Sequence, residues 1–219
     1  MICGTILTVP HTASRGPGRP PAAKAADTRK RIVRAARAVF SECGYEAATF
    51  QAIAERADLT RPAINHYFSN KQLLYREVVD QTNDLVISAA VARAQQETTL
   101  IGQLAAFIAG ASQAASENPS SAALLMIAVL ESQRHPELRG VEGDSVRGTR
   151  AFLTRALDDA IQRGELTTDT DKASLTEMLV AVLCGVGFYA GFVGSREQLD
   201  AVTTQLQQLM AGRLWQLKN

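Results

Sequence analysis

The sequence has 219 residues, of which 46% are hydrophobic and 21% are charged, and its formal net charge is +1. A chain of this length and balance suits one large domain or two small ones, and its composition excludes general disorder. Aromatic residues make up only 5%, which disfavours a β-sandwich rich in tyrosine and tryptophan. The three cysteines (Cys3, Cys43, Cys184) are too widely spaced for a disulfide framework or a CxxC metal motif, which favours a reducing compartment.

Membrane segments are not expected from the sequence. The apolar run within residues 1–10 follows no basic residue and is too short to span a bilayer. We identify no apolar segment that is both longer than this run and free of charged residues. The expectation is a soluble, cytoplasmic protein with no membrane partner.

Charge is distributed unevenly along the chain. Residues 1–80 contain 12 lysines and arginines and 7 acidic residues, a net charge of +5, whereas residues 81–219 carry a net charge of −4. A basic first third on a nearly neutral chain is typical of a face that binds a polyanion, although a solvated charge run without a partner has the same composition. Within residues 15–41 only Asp27 opposes eight basic side chains: Arg15, Arg19, Lys24, Arg29, Lys30, Arg31, Arg34 and Arg37.

The first 26 residues differ in composition from the rest. They contain four of the seven prolines (Pro10, Pro17, Pro20, Pro21) and are predicted to form a flexible basic arm rather than regular structure. From Asp27 onward the pattern becomes helical, and Gly44 is predicted to end the first helix as a left-handed C′ residue. The apolar face of this helix has spacings of three and four: Ile32, Ala35, Ala36, Val39, Phe40 and Cys43.

Further helices follow at short intervals. Thr49 is predicted to cap a short helix, and Thr60 a second one from Arg61 to Phe68. Ser69 stands three residues before Gln72, which is capping-box spacing for a long helix that ends near residue 96. No segment alternates with period two between hairpin turns, so the predicted fold class is all-α. The remaining predicted helices are 99–117, 121–134, 143–163, 172–192 and 196–217.

Two short helices after a longer one form a helix-turn-helix arrangement. In that arrangement the second short helix enters the major groove, and the side chains at its N-terminus reach base edges. The guanidinium fork of Arg61 suits the two acceptors of guanine, while Ile64 and Phe68 would pack inward. A three-helix bundle without a ligand has the same periodicity, so the pattern alone leaves both interpretations open.

The residues in and around this motif resemble the TetR/AcrR family of bacterial transcriptional regulators. The matching segments are TFQAIAERA at 49–57 and LTRPAINHYFSNKQLL at 59–74, with Gly44 at the family's spacing. The resemblance implies a DNA-binding domain at 27–75 and a helical effector-binding and dimerisation domain at 76–219. It implies a homodimeric repressor that binds a palindromic operator, is released by a small molecule, and is associated with the nucleoid.

The resemblance also implies roles for individual residues. Thr60, Arg61 and Ala63 are predicted to contact base edges, and Asn65, His66 and Tyr67 to lie near the phosphates. Thr49 and Lys71 are predicted to bind phosphate. Three positions depart from the family pattern. Asp58 replaces a glycine in the turn, where aspartate tolerates the expected left-handed conformation better than most residues. Pro62 replaces a glycine or small residue, and Asn65 replaces a common tyrosine. The arm around Pro17 either enters the minor groove or is disordered.

In the larger domain the resemblance places a two-fold interface on the last two helices. The predicted interface residues are Leu179, Val182, Leu183, Val186, Leu206 and Leu209. A pocket for a small apolar effector is predicted among the middle helices, lined by Phe107, Leu125, Met126, Val129, Phe152, Phe188 and Tyr189.

Two alternatives to an effector-released repressor are weighed, and the first of them is an enzyme. The sequence has three histidines and none of the HExxH, GxSxG, P-loop or zinc-spaced Cys/His motifs, so no enzymatic activity and no cofactor are expected. The second alternative is an architectural or auxiliary DNA-binding dimer without an effector. A cavity in the larger domain would favour sensing, and a solid core would oppose it.

Overall fold

The computed structural model describes residues 21–138 and 145–213. Within these ranges every regular element is a helix, which confirms the all-α prediction. A π-helical turn (Asp84–Ser88) joins α4 to α5, a second (Tyr189–Val193) extends α9, and a 3-10 turn (Pro136–Leu138) follows α7. The α-helices are α1 (Pro21–Ala47), α2 (Phe50–Arg56), α3 (Arg61–Tyr67), α4 (Lys71–Asn83), α5 (Ala89–Ala94), α6 (Leu100–Glu117), α7 (Pro119–Arg134), α8 (Ser145–Gln162), α9 (Lys172–Phe188) and α10 (Arg196–Met210).

Several predicted boundaries differ from the observed ones. Helix α1 begins at Pro21 rather than Asp27, because a proline is tolerated in the first helical turn, so residues 21–26 do not belong to an irregular arm. Helix α10 ends at Met210, two residues before Gly212 with its φ of 66°. The arm up to residue 20, the predicted helix start at 143 and the predicted end at 214–217 lie outside the described residues.

The cap of α4 is also one residue later than predicted. The side chain of Asn70, not that of Ser69, accepts a hydrogen bond from the Leu73 N–H at 2.9 Å. Asparagine and serine are equally good N-caps, so the spacing of Ser69 and Gln72 did not decide between them. The long helix predicted to follow is present as α4, the π-helical turn and α5, which together end at Ala94.

The first four helices enclose one hydrophobic core. Ile32, Phe40, Ile53, Ile64 and Leu74 are fully buried there. The Phe40 ring meets the Tyr75 ring edge-on at 4.9 Å between centroids. Burial of each large apolar side chain in such a core stabilises the folded state by about 1.5–3 kcal/mol. The short helices α2 and α3 are therefore held in place by tertiary packing, since seven residues are too few for an isolated helix.

A second core lies among α5, α6, α8 and α9. Phe107 and Phe152 stack in it, with ring centroids 4.9 Å apart and planes inclined by 12°. Helix α7 is shared between the two halves: it packs on α1 and α4 of the first and on α6 and α9 of the second. It is thus the element through which the halves contact each other most extensively.

Helix α9 with its π-helical extension is the most apolar element. Within the part of the chain that the structure describes, residues 172–193 form a helix long and apolar enough to cross a membrane, by length and composition only. The expectation that no such segment exists was wrong, because no charged residue occurs between Glu177 and Arg196. Only 11% of the most apolar 18-residue stretch of this helix is buried within the chain, so a large apolar surface faces outward.

Candidate nucleic-acid interface

Helix α3 presents its first residues to solvent. Its N-cap is Thr60, whose hydroxyl accepts the Ala63 N–H at 3.3 Å, and the buried Ile64 and Phe68 fix the opposite face. Arg61, Asn65 and His66 are exposed, whereas Ala63 and Tyr67 are half-buried. This geometry leaves the side chains at the N-terminal end of α3 able to reach into a groove.

Helix α2 is capped in the same way. The hydroxyl of Thr49 accepts the Ala52 N–H at 3.1 Å, and Ile53 and Ala54 bury the inner face of α2. Thr49 itself is exposed. The free N–H groups in the first turn of a helix favour an anionic partner, so the position of Thr49 is compatible with the predicted phosphate contact.

The turn between α2 and α3 is tightly constrained. Asp58 has a φ of 52° and is the one described residue other than glycine with a positive φ, which agrees with the left-handed turn predicted there. The Leu59 N–H donates to the Ala54 carbonyl at 2.9 Å. From α1, the Arg31 guanidinium donates to the Ala57 carbonyl at 2.7 Å and to the Asp58 carbonyl at 3.1 Å. These bonds fix the angle between α2 and α3.

Replacement of Asp58 by Val should destabilise the turn. A β-branched residue tolerates the left-handed conformation poorly, so we expect the free energy of unfolding to fall by about 1–2 kcal/mol. Asp58→Gly is the matched control and should change it by less than about 1 kcal/mol, since glycine adopts this φ freely. Urea denaturation followed by circular dichroism measures both. Equal losses in the two variants would show that the φ of this residue is not the cause.

The basic residues of α1 divide into two groups. Arg29 pairs with Glu77 of α4 and lies over the Phe68 ring at 4.6 Å, and Arg31 fixes the turn. Arg37 is buried, and this burial lowers the pKa of its guanidinium. Among the basic residues described in this helix, Lys24, Lys30 and Arg34 are exposed, and Arg31 is exposed as well as bonded to the turn. The polyanion-binding face predicted from the charge run is therefore smaller than the run itself, because three of its arginines have structural partners or are buried.

Lys71 has an intramolecular role as well as its predicted one. Its ammonium group donates to the Glu46 carbonyl at 2.9 Å and lies 4.6 Å from the centre of the Tyr45 ring. An ammonium group has three donors, so one such bond leaves capacity for a phosphate oxygen. Its position at the start of α4, where N–H groups also point outward, is compatible with phosphate binding.

The predicted pocket residues are only partly brought together. Phe107, Leu125 and Met126 line a cavity between α6, α7, α8 and α9. Val129, Phe152 and Tyr189 do not line it, and Phe152 instead stacks on Phe107 in the adjacent core. Phe188 was placed wrongly: it is 54% exposed on the outer surface, with its ring centroid 5.2 Å from that of Phe192.

The predicted interface residues on α9 are likewise mostly turned inward. Leu183 and Val186 line the cavity, and Leu179 packs against the second core. Val182 and Leu206 are half-buried, and Leu209 is exposed on α10. Among the exposed residues of α9 and its π-helical extension, five form a stripe with spacings of three and four: Met178, Ala181, Gly185, Phe188 and Phe192. We call this set the outer stripe.

One contact between the two halves, which we call the joint, was not predicted from the sequence. Buried Glu131 of α7 accepts the Tyr45 N–H at 3.3 Å through Oε1, and its Oε2 lies 3.1 Å from Nε2 of His135. The Tyr45 ring contacts both His135 and Tyr75 edge-on. Burial raises the pKa of the Tyr75 hydroxyl well above its usual range, with the charge of Glu131 adding to the effect. No spacing signal could reveal this joint, since residues 45 and 131 are far apart in the chain.

The family follows from two model matches. The family model described as bacterial regulatory proteins, tetR family, matches residues 32–78, which include most of α1, all of α2 and α3, and the first part of α4. A second model, described as tetracyclin repressor-like C-terminal domain, matches residues 101–206. The chain belongs to the TetR family. It is a DNA-binding transcriptional regulator and not an enzyme.

The chain is also similar to individual known proteins. The HTH-type transcriptional regulator UidR of Escherichia coli K12 is 25% identical over 163 residues, which span 74% of this chain and 81% of UidR. Salmonella enterica GusR has a TM-score of 0.66 at 23% identity, covering 86% of this chain and 95% of GusR. Bacillus subtilis FadR, solved in complex with stearoyl-CoA, has a TM-score of 0.70 at 20% identity, covering 85% and 99%. At these identities the two solved structures show a shared fold.

Within residues 21–138 and 145–213, no group of three or more His, Cys, Asp or Glu residues is arranged to hold a metal ion.

Proposed function

We propose that this TetR-family protein is a homodimeric repressor that binds a palindromic operator and is released from it by a small molecule. The observation that carries the proposal is the outer stripe. Its residues repeat with the heptad spacing of a helix-packing seam and are all exposed, although four of the five carry apolar side chains. A second copy that packs this stripe against its own would cover the surface and place two α3 helices on one face.

Glycine on the stripe supports close packing between subunits. A Cβ atom at Gly185 would meet nothing within 4 Å in the chain, so this position is open to a partner helix. Gly191 differs, since a Cβ there would lie 2.9 Å from the backbone of Ala123 on α7. One glycine therefore serves packing within the subunit, and the other lies on the surface that we assign to the dimer.

Release by an effector is supported by the position of α7. Ala122, Leu125 and Met126 of this helix line the cavity, and Glu131, less than three turns further on, holds Tyr45 at the end of α1. A molecule that displaces α7 would therefore shift the DNA-binding half relative to the rest. The architectural alternative has no use for a cavity in this position, and the observed cavity favours sensing over it.

Selection of bound sequences from random DNA duplexes tests the proposal. A homodimer with two α3 helices should enrich an inverted repeat with half-sites about one helical turn apart, or slightly more. A single unrepeated motif would contradict the dimer, and absence of any enriched motif would contradict operator recognition. Location in the cytoplasm with the nucleoid follows from this function.

Arg61→Ala and Lys71→Ala separate base reading from phosphate binding. Arg61→Ala should reduce the binding free energy for the preferred base by about 1–3 kcal/mol and relax the consensus at that position. Lys71→Ala should weaken binding to all sequences and reduce the slope of log K against log salt by about one unit. Fluorescence anisotropy with the operator and a scrambled duplex, at several salt concentrations, measures both. The same loss of discrimination in the two variants would contradict these roles.

A further inference from the structure

The cavity between α6, α7, α8 and α9 is almost entirely apolar. Its volume is about 70 Å³, and it is partly open to solvent. Its wall includes Val86, Ile108, Leu125 and Leu183, and none of the lining residues that the structure describes carries a charge. An ionised carboxylate, phosphate or ammonium group placed there would lose its hydration without gaining a partner, which costs several kcal/mol.

The cavity has one polar end. Ser145 and Thr149 lie one turn apart on α8, and both are buried. Residues four apart share one face of a helix, so their hydroxyl groups lie on the same side of the cavity. Ser112 of α6 adds a third hydroxyl to the lining. A hydroxyl both donates and accepts, so this end can satisfy a single neutral polar group of a ligand.

The volume limits the size of the ligand. An apolar cavity of about 150 Å³ holds one benzene molecule, and the present cavity is smaller than that. Met126 lines the cavity beside Gly187, with its side chain 3.4–3.5 Å from the position of a Cβ on that glycine. Methionine side chains repack readily, so the cavity can widen to admit one ring.

From these observations we infer that the effector is a compact, uncharged, largely apolar molecule of about one ring with a single hydrogen-bonding group directed to Thr149 and Ser145. This inference rests on the proposed function and deepens it by naming the class of ligand. It separates this chain from FadR of Bacillus subtilis, whose structure holds stearoyl-CoA. A nucleotide thioester carries several charges and a long chain, and neither suits this cavity.

Calorimetric titration with three probes of one shape tests the class of ligand. The probes are 4-methylphenol, toluene and 4-methylbenzoate at pH 7, titrated into the full-length protein without DNA. We expect 4-methylphenol to bind most tightly, toluene more weakly, and 4-methylbenzoate not measurably, because only the last is ionised at this pH. Stearoyl-CoA is titrated as a fourth compound. Tighter binding of 4-methylbenzoate or stearoyl-CoA than of 4-methylphenol would overturn the inference.

Three variants test whether the probe binds in the cavity. Thr149→Val removes one hydroxyl group while keeping the shape of the side chain. It should weaken the binding of 4-methylphenol about 5-fold and leave the binding of toluene unchanged. Ala111→Leu fills the cavity and should abolish binding of both, whereas Ala109→Leu, on the exposed side of the same helix, should not. Unchanged binding in both Thr149→Val and Ala111→Leu would overturn the assignment.

Operator binding is measured separately by fluorescence anisotropy. Binding of 4-methylphenol without any change in operator affinity would contradict release by an effector but leave the class of ligand standing. Release of the operator by stearoyl-CoA alone would support effector control and overturn the class of ligand inferred here. The two proposals therefore fail in different measurements.

Discussion

Replacement of Phe188 by Asp is expected to make the protein monomeric and to reduce its affinity for a palindromic operator by about 100-fold or more. In the proposed dimer the exposed Phe188 ring would lie at the seam between two α9 helices. A carboxylate there would be buried without a partner in both subunits, which costs several kcal/mol per dimer. Loss of the second recognition helix then removes the effective concentration that links the two half-sites, typically a factor of 10²–10⁴.

Leu85→Asp is the matched control for this variant. Leu85 is as exposed as Phe188, at 54%, but lies on the π-helical turn between α4 and α5, outside the outer stripe. It should leave the protein dimeric and its operator affinity within about 3-fold of the wild type. Sedimentation equilibrium and fluorescence anisotropy measure the two properties. A Phe188→Asp protein that remains dimeric would place the subunit contact elsewhere on the surface.

The helix-turn-helix was predictable because its signals are local. Thr49 and Thr60 cap α2 and α3 as their positions before each helix predicted, and Asp58 takes the left-handed conformation expected of the turn. Each signal depends on residues within about four positions of one another. The family resemblance in the same segment added the function, which periodicity alone had left open.

The two sides of α9 could not be told apart from the sequence. Its residues are apolar around the whole circumference, so helical periodicity marks no single inner face. Leu183 and Val186 were predicted for the interface and line the cavity, whereas Phe188 was predicted for the cavity and lies outside. Only the packing of α9 on α7 and α8 decides which side is inner. A sequence pattern contains no information about that choice.

The joint at Glu131 was unpredictable for a different reason. Glutamate near the end of an amphipathic helix ordinarily lies on a solvated face, yet this side chain is only 7% exposed. Its partner is a backbone N–H, which has no sequence signature. The prediction for Gly44 was half correct, since φ is +76° as expected of a helix end, but ψ is 179° rather than the value of a left-handed C′ residue. Backbone in this region is almost exclusive to glycine.

Gly44→Ala is accordingly expected to destabilise the DNA-binding half strongly. The positive φ with extended ψ is strained for alanine, and the new Cβ would lie 2.8 Å from Oε1 of Glu131. Strain and overpacking each cost about 1–3 kcal/mol, so we expect the free energy of unfolding to fall by about 3 kcal/mol. Gly164→Ala is the control, because Gly164 also has a positive φ but nothing lies within 4 Å of its Cβ position. It should cost only about 1 kcal/mol.

A double-mutant cycle with Glu131→Ala isolates the contact at the joint. Truncation of Glu131 removes the atom that the new Cβ meets, and it also leaves the Tyr45 N–H without its acceptor. Because the clash is absent in the double variant, its loss of stability should be smaller than the sum of the two single losses by about 1–2 kcal/mol. Guanidinium denaturation of the four proteins gives this coupling energy. Additive losses would mean that Gly44 and Glu131 act independently, and the joint would then not be a fixed contact between the two halves of the molecule.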